Sequence, residues 1–454
     1  MSTKKTAEAL AMFPLQRPLR LALRLLPPLL LSLVIRWFLR RRKPVSISVA
    51  LRSAYAQEVA LAAARQLGVR VEREASTQWA DFDAIDWDAF FDGRLQRCSS
   101  LYVRASLVRK GMLAHYLAKK RFAGVMPPTL VADVEDEDDL QKLPAKVEKW
   151  AASCDPTHLV VKASNANRGE HIFLVRTAAE VASAVRPSVQ RGVKEWVIQP
   201  YIRSLLEGRK FHLRCHFLMV GCPFCGTSRA WLHSQAVALL ASEVFTEDLA
   251  RTAAHLTNHC IQEAHPDYDE ARQIRVQVLA EPVRRQVASS LQQALASCAR
   301  TAGFWPLPQC FELFAADFLL EGSEPKAWLL EINSGPDLGV FGRNRAEAQH
   351  LAADVLRTAV LPFRKAAGPT WEDPAHCSCR LHGSGFATEL WSCPPSAASC
   401  AEELRQFQRR LGLAASCAKA LHGDLALRGP QASVAAAAAA TARPAAAEAA
   451  EAAG

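Results

Sequence analysis

Two acids stand inside runs that are otherwise apolar. Asp317 interrupts the segment Leu313 to Leu320, and Glu331 interrupts Ala327 to Ile332, with Asn333 two residues further on. Side chains at i and i+2 leave the same face of a strand, so Glu331 and Asn333 point the same way. With Asp317 on the preceding strand they offer three hard oxygen donors, a set suited to Mg²⁺, which shares its remaining positions with phosphate and water. The plainer alternative is three polar positions on a wet strand face. Burying a charge without a partner is costly, and the apolar setting of both acids favours the metal.

A second segment, "VVKASNANRGEHI" from Val160 to Ile172, ends a strand in Lys162 and continues through a small polar loop holding Arg168 and Gly169. A lysine on a rigid strand beside a loop rich in backbone N–H groups can hold nucleotide phosphates. Ordinary hairpins share the pattern. It is not a P-loop, since the spacing fails and a strand follows. A third, "WVIQPYI" from Trp196 to Ile202, brings an apolar strand to Gln199 and then to a hydrophobic pair. It either meets the edge of a base or simply ends a core strand. The chemistry requires the carboxylates of Asp317 and Glu331 to converge beside Lys162.

The elements that must position these groups alternate. "SISVAL" (Ser46 to Leu51) is expected as a strand, Tyr55 to Gly68 as an amphipathic helix ending at glycine, and Val69 to Glu72 as a second strand, a βαβ start. The acidic run Asp133 to Asp139 is expected as a solvated loop between helices. From Leu159 strand patterns dominate: Leu159 to Lys162, His171 to Val175, Glu195 to Ile202, Lys210 to Val220 and Ala230 to Leu240. "HLTNHCIQE" (His255 to Glu263), a long helix near Val276 to Ala302, the strand pair carrying Asp317 and Glu331, and a helix from Arg345 to Val360 complete an α+β pattern.

In this order the segments resemble the tubulin–tyrosine-ligase-like branch of the ATP-grasp superfamily. "HLTNHCIQ" is similar to the tyrosine ligase's own version of that motif. "FELFAADF…WLLEINSGP" resembles "FELFGxDF…WLIEVNxxP", and "RKFHLR" (Arg209 to Arg214) resembles "RKFDIR". "SISVALRSAYAQEVALAAARQLG" and "RASLVRK" (Arg104 to Lys110) are similar to the start of the ligase. The collinear likeness covers about seventy per cent of the chain.

The resemblance implies an ATP-grasp core from about Val45 to Phe363. It divides into a small α/β domain (45–103), a central domain (104–204) and a C-terminal domain with the metal site (205–366). A basic leader (1–44) would precede it, and a cysteine-containing extension (367–430) and an alanine-rich tail (431–454) would follow. It implies ATP and Mg²⁺: Lys162 and Lys210 holding the phosphates with Arg104 assisting, Arg168 among the nucleotide-binding residues, Gln199 and Ile202 flanking adenine, Thr257 and Asn258 on the nucleotide or the phosphate end, and Asp317, Glu331 and Asn333 on the metal. Arg214 would orient the acceptor carboxylate, with Lys162, Arg214 and Glu331 as the catalytic set. The implied activity is a carboxylate–amine ligase. A protein C-terminal tail, with tubulin the leading target, is activated as an acylphosphate and joined to a free amino acid, tyrosine or similar, in a cytoplasmic, microtubule-associated setting. The alternative is a diverged module that binds nucleotide or tubulin without turnover.

The chain departs from the family at several positions. His212 replaces the aspartate of "RKFDIR", Pro200 replaces an adenine-side lysine, and His171 replaces a glycine. Ser234 and Leu239 stand where the tyrosine ligase has two substrate-binding arginines.

Composition sets the outer bounds. At 454 residues, 50% hydrophobic and 22% charged, the chain has ordinary globular proportions. Its net charge of +10 is concentrated in residues 1–44, which hold ten Lys or Arg against Glu8 alone, or +9, leaving +1 elsewhere. The body therefore carries no basic footprint for nucleic acid. The leader's apolar stretch, Leu25 to Ile35, is short for a bilayer span. Targeting segment, membrane-surface contact through residues 17–43, disordered tail and true anchor remain open for it. Thirteen scattered cysteines argue against a disulfide framework. Cys222-x-x-Cys225, and the group Cys377, Cys379, His382, Cys393 and Cys400, leave zinc and plain thiols both open.

Overall fold

The computed structural model describes residues 45–363 and 385–393, apart from Asp92, Asn167, Arg168, Phe224, Arg300 and Ala302. The expected leader, the alanine-rich tail and most of the expected cysteine-containing extension therefore lie outside the described residues. The described residues from Ser46 onward form one compact unit. No described helix is long and apolar enough to cross a membrane.

The chain opens with β1 (Ser46–Ala50), helix α1 (Ala54–Gln66), β2 (Arg70–Val71), β3 (Thr77–Ala80) and β4 (Arg97–Cys98), a parallel sheet in the order β2-β1-β3-β4. Ser53 caps α1 by accepting from the Ala56 N–H, and Gly68 turns the chain at φ +64°. Helix α2 (Lys110–Lys119) leads to a second sheet built from β5 (Leu130–Asp133), helix α3 (Glu137–Ala151), β6 (Leu159–Ala163), β7 (Ile172–Val175), helix α4 (Ala178–Val189) and β8 (Glu195–Pro200). Its order is β5-β8-β6-β7, antiparallel throughout, with Trp196 fully buried against α3 and α4.

The acidic run is not the open loop expected. Asp133 ends β5, Asp136 caps α3 by accepting from the Asp139 N–H, and Glu137, Asp138 and Asp139 fill its first turn. Negative charge at a helix N-terminus is stabilised by the macrodipole, so the run starts a helix here.

The third sheet holds β9 (Leu205–Leu206), β10 (Arg209–Gly221), β11 (Ser228–Leu240), β12 (Ile274–Val278), then helix α5 (Glu281–Cys298), β13 (Phe311–Glu321) and β14 (Lys326–Ser334). Its main order is β12-β11-β10-β13-β14, all antiparallel. The expected long helix from Val276 begins five residues later. Ile274-Arg-Val-Gln-Val278 alternates with period two and pairs with β11, while Pro282 suits the first turn of α5. Helix α6 (Arg345–Ala359) packs on α1. A final strand, β15 (Thr388–Cys393), joins the same sheet beside β11, beyond the end expected for the core. The large core lies between this sheet, α2 and α5, with Phe217, Phe304, Phe314 and Phe318 wholly buried.

Candidate active site

Register builds the site. Arg214 on β10 pairs with Asp317 on β13, and Asp317 pairs with Glu331 on β14, so one rung of three adjacent strands carries a cation and two acids. Cross-strand neighbours on one face stand about 5 Å apart, close enough for direct contact. A register shift immediately after Asp317 marks a local irregularity in this ladder. The Asn333 amide bridges the acids, its Nδ2 lying 3.2 Å from Asp317 Oδ2 and 3.2 Å from Glu331 Oε1.

The donor set fits a hard divalent cation. Two carboxylates and an amide converge on one face, and turning the Asn333 amide presents oxygen in place of nitrogen. Both carboxylates keep further lone pairs, and fixed cations balance their charge.

The cations around this rung are themselves buried. Lys110 Nζ lies 2.9 Å from Glu331 Oε2 and also donates to the Ala166 carbonyl at 2.9 Å, tying the β6–β7 loop to β14. Burial alone would raise the Glu331 carboxyl, but Lys110 and Lys162 outweigh it and hold the group well below the usual carboxylate range. Lys162, next to the last residue of β6, places Nζ 3.3 Å from Gln199 Oε1, and Gln199 in turn donates to Thr129 Oγ1 at 2.9 Å. Burial pulls Lys162 down to about 8 and Lys210 to about 7. Lys210 donates to the Ile202 carbonyl and lies 4.3 Å from the centre of the Tyr201 ring. Ile202 itself is buried beside Leu319 and Trp328.

Thr257 meets the site through His212. Thr257 Oγ1 lies 2.6 Å from His212 Nδ1, while His212 Nε2 is 3.8 Å from Asp317 Oδ1. Burial depresses this imidazole to about 4, so it stays neutral at physiological pH. Asn258 immediately precedes the short helix His259–Glu263. A Cβ on Gly169 would stand 2.7 Å from Ile261 and 3.3 Å from Asn258, so the phosphate-loop candidate lies against this helix. Gly169 sits at φ +78°, and His171, where the family has glycine, also holds a left-handed φ of +52°. Its ring is anchored by Ser188 Oγ at 2.8 Å, which helps hold a conformation that glycine adopts without strain.

Two expected site residues already have partners within the protein. Arg104 does not reach the rung: its Nη1 lies 2.9 Å from Glu312 Oε1, both side chains nearly buried. Glu312 precedes Asp317 by five residues on β13, about 17 Å along the strand and on the opposite face. Glu312 Oε2 accepts from the Leu101 N–H at 2.8 Å, so this pair fastens the chain near Leu101 to the large sheet. Arg214 is held by a carboxylate of the protein itself. Its Nε and Nη2 each donate to an Asp317 oxygen at 2.8 Å, the strong bidentate geometry. Arg168 lies outside the described residues. Lys110 is the buried cation beside the rung that motif spacing missed, because its partner stands over two hundred positions away.

The departures near β11 are also visible. Leu239 is buried opposite His212, and Ser234 donates its N–H to the Gly385 carbonyl at 2.8 Å, so neither presents a cation.

Residues 118–367 match the model of the tubulin-tyrosine ligase family. The chain is 24% identical over 388 residues to a Schizosaccharomyces pombe protein named "Probable tubulin–tyrosine ligase", covering 71% of this chain and 93% of that one. It is 28% identical over 216 residues to the human protein named "Inactive polyglycylase TTLL10", covering 39% of this chain and 31% of that one. Among solved structures, the C-terminal domain of Kluyveromyces lactis Pby1, an ATP-grasp enzyme that interacts with the mRNA decapping enzyme Dcp2, aligns with a TM-score of 0.51 at 21% identity. That alignment covers 74% of this chain and 98% of the Pby1 domain. The fold is therefore α+β ATP-grasp, as the sequence implied.

Proposed function

The chain belongs to the tubulin–tyrosine ligase family, and from that premise we propose that it is an ATP-dependent ligase adding an amino acid to a protein C-terminal tail, tubulin being the leading acceptor. The observation that carries this reading is the convergence of Asp317, Glu331 and Asn333 beside Lys110, with charge coupling to Lys162.

In this reading Lys162 and Lys210 hold the phosphates, and Gln199 and Ile202 flank the base. Asp317, Glu331 and Asn333 would hold magnesium, which when bound supplies charge neutralisation for the triphosphate oxygens. The tail carboxylate attacks the γ-phosphate to give an acylphosphate as ADP leaves, and the amine of the incoming amino acid then attacks the acyl carbon, losing a proton and displacing phosphate to form the amide. Both steps gather negative charge on oxygen, which fixed buried cations stabilise more than the ground state. The Arg214 Nη1, which is not one of the atoms bonded to Asp317, would be the atom offered to the acceptor carboxylate. Action in the cytoplasm on microtubules follows from this choice of acceptor.

The test is ATP turnover and product mass with a detyrosinated tubulin tail peptide and tyrosine. Glu331→Gln should abolish both while the circular dichroism spectrum is kept. Equal ATP hydrolysis by wild type and Glu331→Gln refutes the metal assignment.

A second reading, nucleotide or tubulin binding without turnover, is favoured by neutral His212 in place of an acid and by the missing cations at Ser234 and Leu239. Saturable nucleotide binding with no product for any offered amino acid would select it.

A further inference from the structure

Thr257 and Asn258 account for the middle of "HLTNHCIQ". Its two end residues, His255 and Gln262, are each 2% exposed and carry bonds of their own. Gln262 lies in the helix His259–Glu263, and its amide reaches back to both ends of the segment before Thr257. Oε1 accepts from the Ser242 N–H at 2.5 Å, while Nε2 donates to the Ala253 carbonyl at 3.1 Å and to the Leu256 carbonyl. Both amide hydrogens and the oxygen are thus engaged by backbone.

His255 holds the same segment from within. Its Nε2 faces the Asp248 carbonyl at 3.0 Å, and a carbonyl only accepts, so Nε2 carries the hydrogen. Burial favours the neutral ring, whose Nδ1 is then an acceptor. The Tyr201 hydroxyl therefore donates to Nδ1, at 2.9 Å. Phe245 packs edge-on against the imidazole, ring centres 5.5 Å apart.

These bonds matter because the segment from Ser242 to Leu256 is a strap with little core of its own. Among the described residues of that stretch, Ala254 is the only buried apolar one. Where apolar burial is slight, local opening costs little unless polar bonds oppose it. The strap starts beside Lys210: the Ala241 N–H donates to the Lys210 carbonyl and the Phe245 N–H to the Gly208 carbonyl, each at 2.8 Å. It ends at Thr257, which meets His212. The Tyr201 ring that lies against the Lys210 ammonium is the ring whose hydroxyl His255 holds.

We infer that His255 and Gln262 are positioning residues of the nucleotide site: Gln262 clasps the two ends of the strap, and His255 fixes Tyr201 against Lys210, so that Lys210 and Thr257 are in place before nucleotide arrives. The inference rests on the reading of Lys210 and Thr257 as nucleotide contacts. Order built in beforehand does not have to be created on binding, which raises affinity.

The test measures equilibrium binding of a fluorescent ATP analogue to the full chain with magnesium, and amide hydrogen exchange without nucleotide. Tyr201→Phe removes the hydroxyl and keeps the ring, and should weaken binding roughly fivefold, the scale of one hydrogen bond. In a Lys210→Met background the same substitution should change affinity by less than about twofold, since the group that Tyr201 positions is gone. A merely structural tyrosine would weaken both backgrounds alike. Gln262→Leu should speed exchange across residues 242–256 by roughly tenfold while β10 and β13 keep their protection. Should Gln262→Leu fail to fold, the Tyr201→Phe cycle decides. Equal losses in the two backgrounds, or strap exchange that rises only in step with the whole chain, overturns the inference and leaves the nucleotide reading standing. Wild-type chain that binds no nucleotide, or binding indifferent to Lys210→Met, overturns that reading and the inference with it.

Discussion

Lys110 Nζ and Glu331 Oε2 stand 2.9 Å apart, joining the first residue of α2 to strand β14. The same ammonium holds the Ala166 carbonyl, so one side chain sets the distance between the β6–β7 loop and the acids. Removing one partner of a buried pair strands the other.

Lys110→Met should therefore cost about 3 kcal/mol of stability, the typical penalty for orphaning a buried charge. It should also raise the Glu331 carboxyl toward its ordinary range, since its principal stabilising cation is gone. Urea denaturation and the pH profile of ATP turnover measure the two effects. An unchanged midpoint and profile would show that the contact is dispensable.

Lys162 and Lys210 predict proton uptake on nucleotide binding. Burial depresses both, to about 8 and about 7, from an unfolded value near 10.5. Between about pH 7 and 10.5 the unfolded chain binds more protons, so stability without nucleotide should rise with pH across that window and flatten above it. A triphosphate reverses the depression and recharges the lysines. Calorimetry of ATP binding at pH 8 in buffers of different ionisation enthalpy should show net uptake, and none is expected for Lys162→Met/Lys210→Met. Uptake of zero in wild type would contradict the phosphate role.

His212 faces Asp317 at 3.8 Å as a neutral ring. His212→Asp places a carboxylate beside the proposed metal ligands and should lower the magnesium concentration for half-maximal nucleotide binding by roughly tenfold, the scale of changes around a metal site. Without magnesium the added charge repels Asp317, so the variant should melt earlier than wild type and recover on adding the ion. A magnesium titration of nucleotide fluorescence, with thermal melts alongside, reads both.

Arg104→Ala should destabilise the fold by about 3–5 kcal/mol by stranding Glu312, which burial already raises to about 7. Nucleotide affinity should remain within about twofold of wild type, because this pair lies on the opposite face of β13 from the rung. Denaturation and equilibrium binding separate the effects. A large loss of affinity with normal stability would return Arg104 to the phosphates.

Linear order alone disclosed a good deal about this protein. Acids inside apolar strands, a lysine at a strand end before a glycine loop, and "HLTNHCIQ" marked the family and its oxygen donors, because strand alternation is a local rule that side-chain type reports directly. The helix start near Val276 and the acidic run were misread because short-range pattern competes there with sheet pairing and helix-end electrostatics. Tertiary structure alone decided the rest. Register across β10, β13 and β14 set Arg214 on Asp317, and Asp317 opposite Glu331, although 103 residues separate the first two. It sent Arg104 to Glu312 and brought Lys110 to Glu331, pairings between residues whose distance in sequence carries no trace of contact. Charge burial is a property of the packed interior, so which cation meets which acid is fixed only when the sheets close around them.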